Sequence, residues 1–451
     1  MNKQICLINP WIHDFAAYDF WSKPIGILYL ASILRKNGYD VNFIDCLNPY
    51  HPAMKDEFQI KPPKRRLWGN GKYAKEAIEK PERLRNFSRR YNRYGITPRI
   101  FTEELMKLGK ADLVFVTSMM TYWYPGVFEA IDITRQTYPD STIVLGGNYA
   151  TLCSEHARHN SGADIVIAGE GEKHIHELCD LSYFMPDLTH LDSYPYPAFD
   201  LLSSIDQVPI MTSRGCPFKC TYCASHLLND GFRVRDPIKV VDEIEFWNRN
   251  HGVMNFSIYD DAFLVDSANR AIPMMKELLR RDLHVSFHCP NGLHLREITG
   301  EVSRLMLRSG FRTIRFGFET SNIRRQMETG GKITNDETAA AIKHLKNAGY
   351  GSSDIGVYIL CGLPEQSAAE VHESIAFIKS LGARPVIAEY SPIPGTQLWE
   401  ESIAASPFDI QGDPIFQNNT LIPCRSEKLT YEMYRTLKDE TRRAIHGGKT
   451  S

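Results

Sequence analysis

Ser213-Arg214-Gly215-Cys216-Pro217-Phe218-Lys219-Cys220-Thr221-Tyr222-Cys223 puts three cysteines in a C-x3-C-x2-C spacing on one short loop. Thiolates this close can all reach one metal centre, and iron–sulfur clusters are held by cysteine thiolates. A structural zinc site or a simple electron-carrying cluster closes with four protein ligands. No fourth cysteine lies nearby in sequence. A three-thiolate set leaves one iron open to a substrate or cofactor; the alternative is three structural or zinc-binding cysteines. The apolar run Val208-Pro209-Ile210-Met211-Thr212 just ahead reads as a buried strand, so the loop leaves a strand's C-terminal end.

Downstream, five more strand-like segments end in polar or glycine residues. Phe256-Ser257-Ile258-Tyr259 ends at Asp260-Asp261, and Val285-Ser286-Phe287-His288 at Cys289-Pro290-Asn291-Gly292. Thr313 to Phe318 ends at Glu319, Ile355 to Leu360 at Cys361-Gly362, and Val386 to Tyr390 at Ser391-Pro392. Helix signals fall between, such as Asp236-Pro237, a capping aspartate followed by proline at the first helical position. Six βα-type units are too few for a closed eight-stranded barrel and predict a partial (β/α)6 barrel. In (β/α) barrels the C-terminal strand ends build the active site.

The N-terminal third alternates strands and helices: Gln4 to Asn9, a helix from Ile25 to Leu34 between Pro24 and Gly38, Val41 to Asp45, Asp112 to Thr117, Thr142 to Gly146 and Asp164 to Ala168. That order predicts a Rossmann-like (flavodoxin-like) doubly wound parallel sheet, with ligands outside the strands' C-terminal ends. Candidate ligand-binding residues there are Ser118 and Met119, Gly146, Gly147 and Asn148, and Glu170. The expected fold class is thus α/β, with domains at 1–180, 207–395 and a helical extension at 396–451. A Pro- and Tyr-rich linker joins the first two at 181–206, because residues before proline are held extended.

The aromatic residue before the third cysteine, C-x3-C-x-(aromatic)-C after a first strand, resembles the radical S-adenosylmethionine (SAM) superfamily. The resemblance implies a [4Fe–4S] cluster on Cys216, Cys220 and Cys223, with SAM chelating the fourth iron. It implies SAM contacts at Tyr222 and the Gly362 segment (adenine), Glu319 (ribose hydroxyls), and Asp260 and Asp261 (the amino group). The Pro24-Ile25-Gly26-Ile27-Leu28 segment, Gly146-Gly147 and Gly169-Glu170-Gly171-Glu172 together resemble the cobalamin-binding-type domain that precedes many radical SAM cores. The Asp-x-His-x-x-Gly motif, whose histidine ligates cobalt from below, is missing, which leaves that ligand undefined.

The implied activity is reductive cleavage of SAM to methionine and a 5′-deoxyadenosyl radical, hydrogen abstraction from an unactivated C–H bond, and C-methyl transfer with cobalamin. A low-potential electron donor, flavodoxin or ferredoxin, is implied as partner. The low potential needed predicts burial around the three cysteines. Alternatives are a radical SAM enzyme without cobalamin, acting in cyclisation or thiolation, and an iron–sulfur protein binding RNA. No radical-carrying residue stands out among His288, Cys289, His294, Tyr358 and Cys361, and no second cysteine cluster appears near the C-terminus.

The apolar and charged fractions are those of an ordinary soluble globular protein. The 451 residues carry a net charge of -2, which names no partner, and ten cysteines. Seven of those are scattered singly (Cys6, Cys46, Cys153, Cys179, Cys289, Cys361, Cys424), the pattern of a reduced, cytoplasmic protein. No run approaches the roughly 20 apolar residues of a membrane span, and no secretory signal is visible. One insert is unusual: Lys61 to Arg93 holds twelve Lys/Arg against three acids, with Trp68, Tyr73, Phe87 and Tyr91 interleaved. Basic plus aromatic is raw material for nucleic-acid binding, but a solvated helical excursion is the preferred expectation. The tail 447–451 is expected to be disordered.

Overall fold

The computed structural model describes residues 3–56 and 63–446. The chain divides into two compact units, Met1–Asp206 and Gln207–Ser451. The tail 447–451 and Lys61 lie outside the described residues.

In the first unit five parallel strands form one sheet: β1 (Gln4–Asn9), β2 (Asp40–Asp45), β3 (Leu113–Val116), β4 (Thr142–Leu145) and β5 (Ile165–Val166), in the order β2-β1-β3-β4-β5. This is the doubly wound order, reversing direction between β1 and β3. Ile5, Leu7 and Ile8 of β1 and Val114 to Val116 of β3 are all buried, as expected of strands covered on both faces. The helix Ile25–Lys36 buries Ile27, Leu28, Ala31, Ile33 and Leu34.

The stretch 181–206 is no free connector but part of this unit. It lies along the helix Ile25–Lys36, where Ala198 N donates to Leu28 O (3.0 Å) and Ser32 Oγ to Tyr196 O (2.7 Å). The Asn37 side chain holds Tyr183 N (3.0 Å) and Phe184 O (2.8 Å). Prolines keep the backbone extended, and extended backbone with free donors and acceptors can still dock on a helix.

The basic insert is not helical. It contributes Lys75–Ala77 and Asn92–Tyr94 to a three-stranded antiparallel sheet with Ile12–Asp14, the Asn92–Tyr94 strand in the middle. Glu76 faces Arg93 across this sheet, and their side chains pair at 3.0 Å. Arg93 also bonds Glu129, and Arg65 pairs with Asp19. Tyr73 and Tyr91 are buried. Arg65, Arg93, Tyr73 and Tyr91 are thus engaged inside the unit, while Lys64, Arg66, Lys72, Lys75, Arg83, Arg85 and Arg90 are exposed.

The second unit is a parallel sheet of six strands: β6 (Gln207–Ile210), β7 (Asn255–Ile258), β8 (Ser286–His288), β9 (Phe311–Glu319), β10 (Ile355–Cys361) and β11 (Arg384–Glu389). They neighbour one another in chain order, with Leu293–His294 pairing on β9. The Asp236 carboxylate accepts from Ile238 N (2.7 Å) and Lys239 N (3.2 Å) and starts the helix Pro237–His251. The helix Tyr431–His446 lies along the edge strand β11, where Tyr434 Oη donates to Glu389 Oε1 at 2.6 Å. An open sheet edge is a pairing hazard, and this helix covers it.

Candidate active site

The cysteine loop leaves β6 and returns to a short helix, Ser225–Leu228. Cys216, Cys220 and Cys223 are partly exposed, whereas the other seven cysteines are buried. The expected enclosure is therefore incomplete, because the loop lies at the rim of the barrel rather than in its core. Burial still raises all three thiols, Cys223 to about 11. Ser225 N donates to Cys223 Sγ at 3.5 Å, while Lys332 counteracts the rise at Cys216 and Cys220.

Among the described residues no group of His, Cys, Asp and Glu gathers tightly enough to hold a single metal ion. A tetrahedral zinc site, with Zn–S of about 2.3 Å, would draw its sulfurs to about 3.8 Å of one another. A multi-iron cluster bonds each thiolate to a different iron and takes a wider triangle. Three sulfur donors on one loop fit such a cluster, one thiolate to each of three irons.

Glu319 ends β9 with its backbone at φ +74° and its side chain nearly buried. A left-handed conformation in a non-glycine residue is uncommon and gathers at functional sites. Lys332 Nζ stands 3.5 Å from Glu319 Oε1. A Cβ on Gly317 would come within 2.7 Å of that oxygen and 2.6 Å of the ammonium, so a side chain there would push both ends of the pair aside. Glu319 also faces the Tyr222 phenol, which burial and this carboxylate push well above its usual range. The structure thus brings together the cysteine loop, Tyr222, Glu319 and Lys332. Lys332 escaped the sequence reading; its only signal is the Gly330-Gly331 turn before it.

The two aspartates after β7 have different tasks. Asp260 points inward and is fully engaged: Oδ1 accepts from Thr212 N (2.7 Å), and Oδ2 from Thr212 Oγ1 (2.5 Å), Ser213 Oγ (2.5 Å) and Arg270 Nη2 (3.4 Å). It is a buried strut for the strand that launches the cysteine loop, not a ligand-facing acceptor. Asp261 is exposed and accepts from Ser225 Oγ at 2.5 Å, beside Cys216 and Cys223. Gly362 is buried at the end of β10, and its N–H and that of Leu363 both donate to Gln366 Oε1 (2.8 and 3.2 Å). Gln366 Nε2 closes the loop onto Leu360 O at 3.0 Å. The Leu360–Leu363 backbone is thereby fixed, and the Cys361 and Leu363 carbonyls are held as well, by Tyr390 N (2.9 Å) and Gln366 N (3.1 Å).

In the first unit a cleft of about 580 Å³ opens at the point where the sheet order reverses. Its walls come from the ends of β1 (Asn9, Pro10, Trp11) and β3 (Thr117, Ser118, Met119), with Trp123 and Tyr18. That is where doubly wound sheets bind ligands. Ser118 Oγ donates to Gly146 O at 2.7 Å, and Asn148 N to Ser118 O at 2.9 Å, so Ser118 ties β3 to β4. Gly147, at φ +95°, is pressed on the Ser118 backbone, whereas the space beside the Gly146 α-carbon is open. Asn148 and Met119 are exposed at this rim. Glu170, past β5, faces Lys173 at 3.8 Å. His13, the histidine nearest the end of β1, is turned to Glu129 (2.9 Å) and does not line the cleft.

A six-stranded parallel half-barrel with three cysteines after its first strand, in one chain with a unit that has a flavodoxin-ordered sheet, defines the class: a radical SAM enzyme joined to a corrinoid-binding-type domain. The profile of the radical SAM superfamily matches residues 210–378, and that of the B12 binding domain residues 97–178. The chain thus carries a radical SAM domain and, ahead of it in sequence, a B12-binding domain.

It is 28% identical over 336 residues to an uncharacterised methyltransferase of Pyrococcus horikoshii, covering 67% of this chain and 71% of that one. It is 22% identical to cytidylyl-2-hydroxyethylphosphonate methyltransferase of Streptomyces wedmorensis (89% and 82% covered). To the anaerobic magnesium-protoporphyrin IX monomethyl ester cyclase of Rubrivivax gelatinosus it is 25% identical (65% and 58% covered). Among solved structures, the radical SAM methyltransferase TsrM of Kitasatospora setae, with tryptophan substrate and a SAM analogue bound, superposes with a TM-score of 0.64 at 15% identity. That match spans 90% of this chain and 77% of TsrM. At this identity the likeness speaks for the fold alone.

The cofactors of this class are a [4Fe–4S] cluster, SAM and cobalamin, and its chemistry draws an electron from an outside donor. No helix among the described residues is long and apolar enough to cross a membrane.

Proposed function

We propose that this enzyme transfers a methyl group to an unactivated carbon of a small substrate, with Cys216, Cys220 and Cys223 holding the cluster. The observation that carries the proposal is the pairing of a three-thiolate loop on a parallel half-barrel with a B12-binding domain in one chain. When bound, the cluster and SAM supply the 5′-deoxyadenosyl radical that takes a hydrogen atom from the substrate, and cobalamin supplies the methyl group.

The chain's own residues bind and aim. Glu319 accepts from the two ribose hydroxyls, its orientation fixed by Lys332 and by the backbone at φ +74°. Lys332 brings a positive charge beside Cys216 and Cys220, which suits the SAM carboxylate at the open iron. Asp261, held by Ser225 and close to Cys223, would accept from the SAM amino group. Tyr222 and the Leu360–Leu363 turn clamped by Gln366 flank the adenine. Gly146 and the cleft beside Ser118 and Met119 take part of the cobalamin. The electron donor is a small low-potential carrier, flavodoxin or ferredoxin.

The test is anaerobic reconstitution with iron, sulfide, cobalamin and SAM, followed by reduction. The expected products are methionine and 5′-deoxyadenosine, with protein-bound cobalt near one per chain. Loss of the deoxyadenosine on substituting Glu319 or any of the three cysteines is expected; its absence from the unmodified enzyme would overturn the reading. A second reading, ring formation without methyl transfer, is favoured by the similarity to the cyclase of Rubrivivax gelatinosus. It predicts deoxyadenosine without S-adenosylhomocysteine, the by-product of recharging cobalamin from SAM.

A further inference from the structure

Closed (β/α) barrels fill their interior with branched apolar side chains. The interior of this half-barrel is different. Residues paired across neighbouring parallel strands point to one face, and the faces alternate along each strand. The outer face is marked by Glu389, which pairs in register with Cys361 and accepts from Tyr434 of the covering helix. Ile355, Val357 and Ile359 share that face and are fully buried. The inner face carries Arg315, Gly356 and Arg384 in one row, and Gly317, Tyr358 and Val386 in the next. Arg315, Tyr358 and Arg384 are only half-buried, so the lumen keeps solvent contact.

The middle residue of the first row is glycine. Strands stand about 4.8 Å apart, so Arg315 and Arg384 flank Gly356 with backbones about 10 Å apart and side chains on one face. Arg315 lies across the glycine, since a Cβ on Gly356 would come within 2.7 Å of its Cδ and Nη1. Tyr358 Oη donates to Pro290 O at 2.9 Å, which stretches the ring from β10 towards the end of β8. Burial raises this phenol, and the charges of Arg315 and Arg384 both pull it back down. Two like charges are thus gathered round one hydroxyl. The six strands hold only two acidic residues. Glu389 points outward, and Glu319 ends β9 four residues beyond Arg315, facing Lys332.

We propose that the substrate is an anion, its carboxylate or phosphate group held by Arg315 and Arg384 on the inner face of the half-barrel, beside the Tyr358 hydroxyl. The inference rests on the proposed function in taking the half-barrel as the place where the substrate reacts. Arginine suits the task, because its planar fork matches carboxylate and phosphate oxygens two at a time. Arg315 Nη1 donates to Ile314 O at 2.8 Å, which fixes one edge of a fork that carries five N–H donors. The arginine row lies two residues, about 7 Å, further down β9 than Gly317, over which Lys332 sits. It is therefore a second anion site, distinct from the place assigned to the SAM carboxylate. An anion anchored there directs the rest of the substrate up the lumen towards the strand ends. No bond is made or broken at the arginines; they hold and aim.

The test uses the anaerobically reconstituted enzyme in the presence of SAM and cobalamin. Equilibrium dialysis with radiolabelled phosphate and, separately, radiolabelled acetate, at constant ionic strength, reads anion binding. The unmodified enzyme is compared with R315Q, R384Q, R384K and the double variant R315Q/R384Q. The expected result is about one equivalent of at least one anion, with a Kd weakened about tenfold or more in each glutamine variant and further in the double variant. R384K, which keeps the charge and loses the fork, falls between. The SAM Kd stays within about twofold throughout. Preference for phosphate marks a phosphoryl substrate and preference for acetate a carboxylate one; either supports the site. No saturable binding of either anion, or equal binding in the double variant, overturns the proposal. So does a parallel loss of SAM affinity, which would place the arginines in the SAM site. If thermal unfolding shows R315Q to be misfolded, R384Q decides alone. If the unmodified enzyme forms no 5′-deoxyadenosine, the proposed function fails, and the dialysis still decides the anion site.

Discussion

Lys332 Nζ lies 3.5 Å from Glu319 Oε1, and both groups occupy space that a side chain on Gly317 would fill. The pair therefore depends on an absent Cβ as much as on charge. Glu319→Gln and Lys332→Met should each weaken SAM binding by about 10- to 100-fold, the value of a hydrogen bond to a charged group, about 1.5–3 kcal/mol. Gly317→Ala should do the same without touching either charge, by driving the pair apart. Equilibrium dialysis of SAM against the reconstituted enzyme reads all three, and an unaltered Kd in Gly317→Ala would show that the pair does not set the ligand's position.

The aspartate neighbours after β7 should separate stability from binding. Asp260→Ala leaves Arg270 buried without its carboxylate, a loss of about 3–5 kcal/mol by analogy with broken buried pairs. Asp261→Ala removes only an exposed side chain and should shift the urea midpoint by less than about 0.5 kcal/mol equivalent. SAM affinity should drop in Asp261→Ala instead. Equal destabilisation in the two variants would refute this division of roles.

Sequence and structure agree where chemistry fixes the spacing. The cysteine loop, the six barrel strands and Glu319 at a strand end were legible because ligand number and strand periodicity show in the chain itself. Asp260 and Asp261 could not be told apart, since neighbouring strand residues point to opposite faces and nothing local says which face is inside. Lys332 was invisible because a helix and a glycine turn separate it from Glu319, and only the fold closes that gap. The basic insert misled for another reason: its strands, Lys75–Ala77 and Asn92–Tyr94, are too short to show alternation, and two of its arginines, Arg65 and Arg93, pair with Asp19 and Glu129 from elsewhere in the unit. The segment 181–206 was read from its prolines alone, which report backbone shape and not what that backbone docks on.

Gly146 and Gly147 look equivalent in sequence but should respond oppositely. At Gly147 the backbone is left-handed, φ +95°, and a Cβ would strike the Ser118 carbonyl. Gly147→Ala should destabilise the first unit by about 1–3 kcal/mol, the range for overpacking and strained backbone. Gly146→Ala meets nothing within 4 Å and should fold normally, yet its methyl group would enter the space assigned to the ligand. Thermal unfolding and cobalt content together decide: a stable Gly146→Ala that still binds a full equivalent of cobalamin would remove Gly146 from the site.

Acid sensitivity should come in part from His288. Burial in the barrel wall, between Thr313 (3.2 Å) and Asn255 (3.2 Å), lowers it from about 6.5 to about 4. Above pH 6.5 the imidazole is neutral in both folded and unfolded chains and adds no pH dependence. As pH falls below 6.5 the unfolded chain takes up a proton that the folded one refuses until about pH 4. Stability should therefore be lost across that window, with a slope approaching about 1.4 kcal/mol per pH unit from this group. His288→Gln keeps an amide between the same two partners and removes the titration. Urea midpoints measured from pH 7 to pH 4 should fall less steeply in the variant by that amount. Parallel curves would mean that His288 is protonated in the folded protein, and that its contacts with Thr313 and Asn255 hold the charged form.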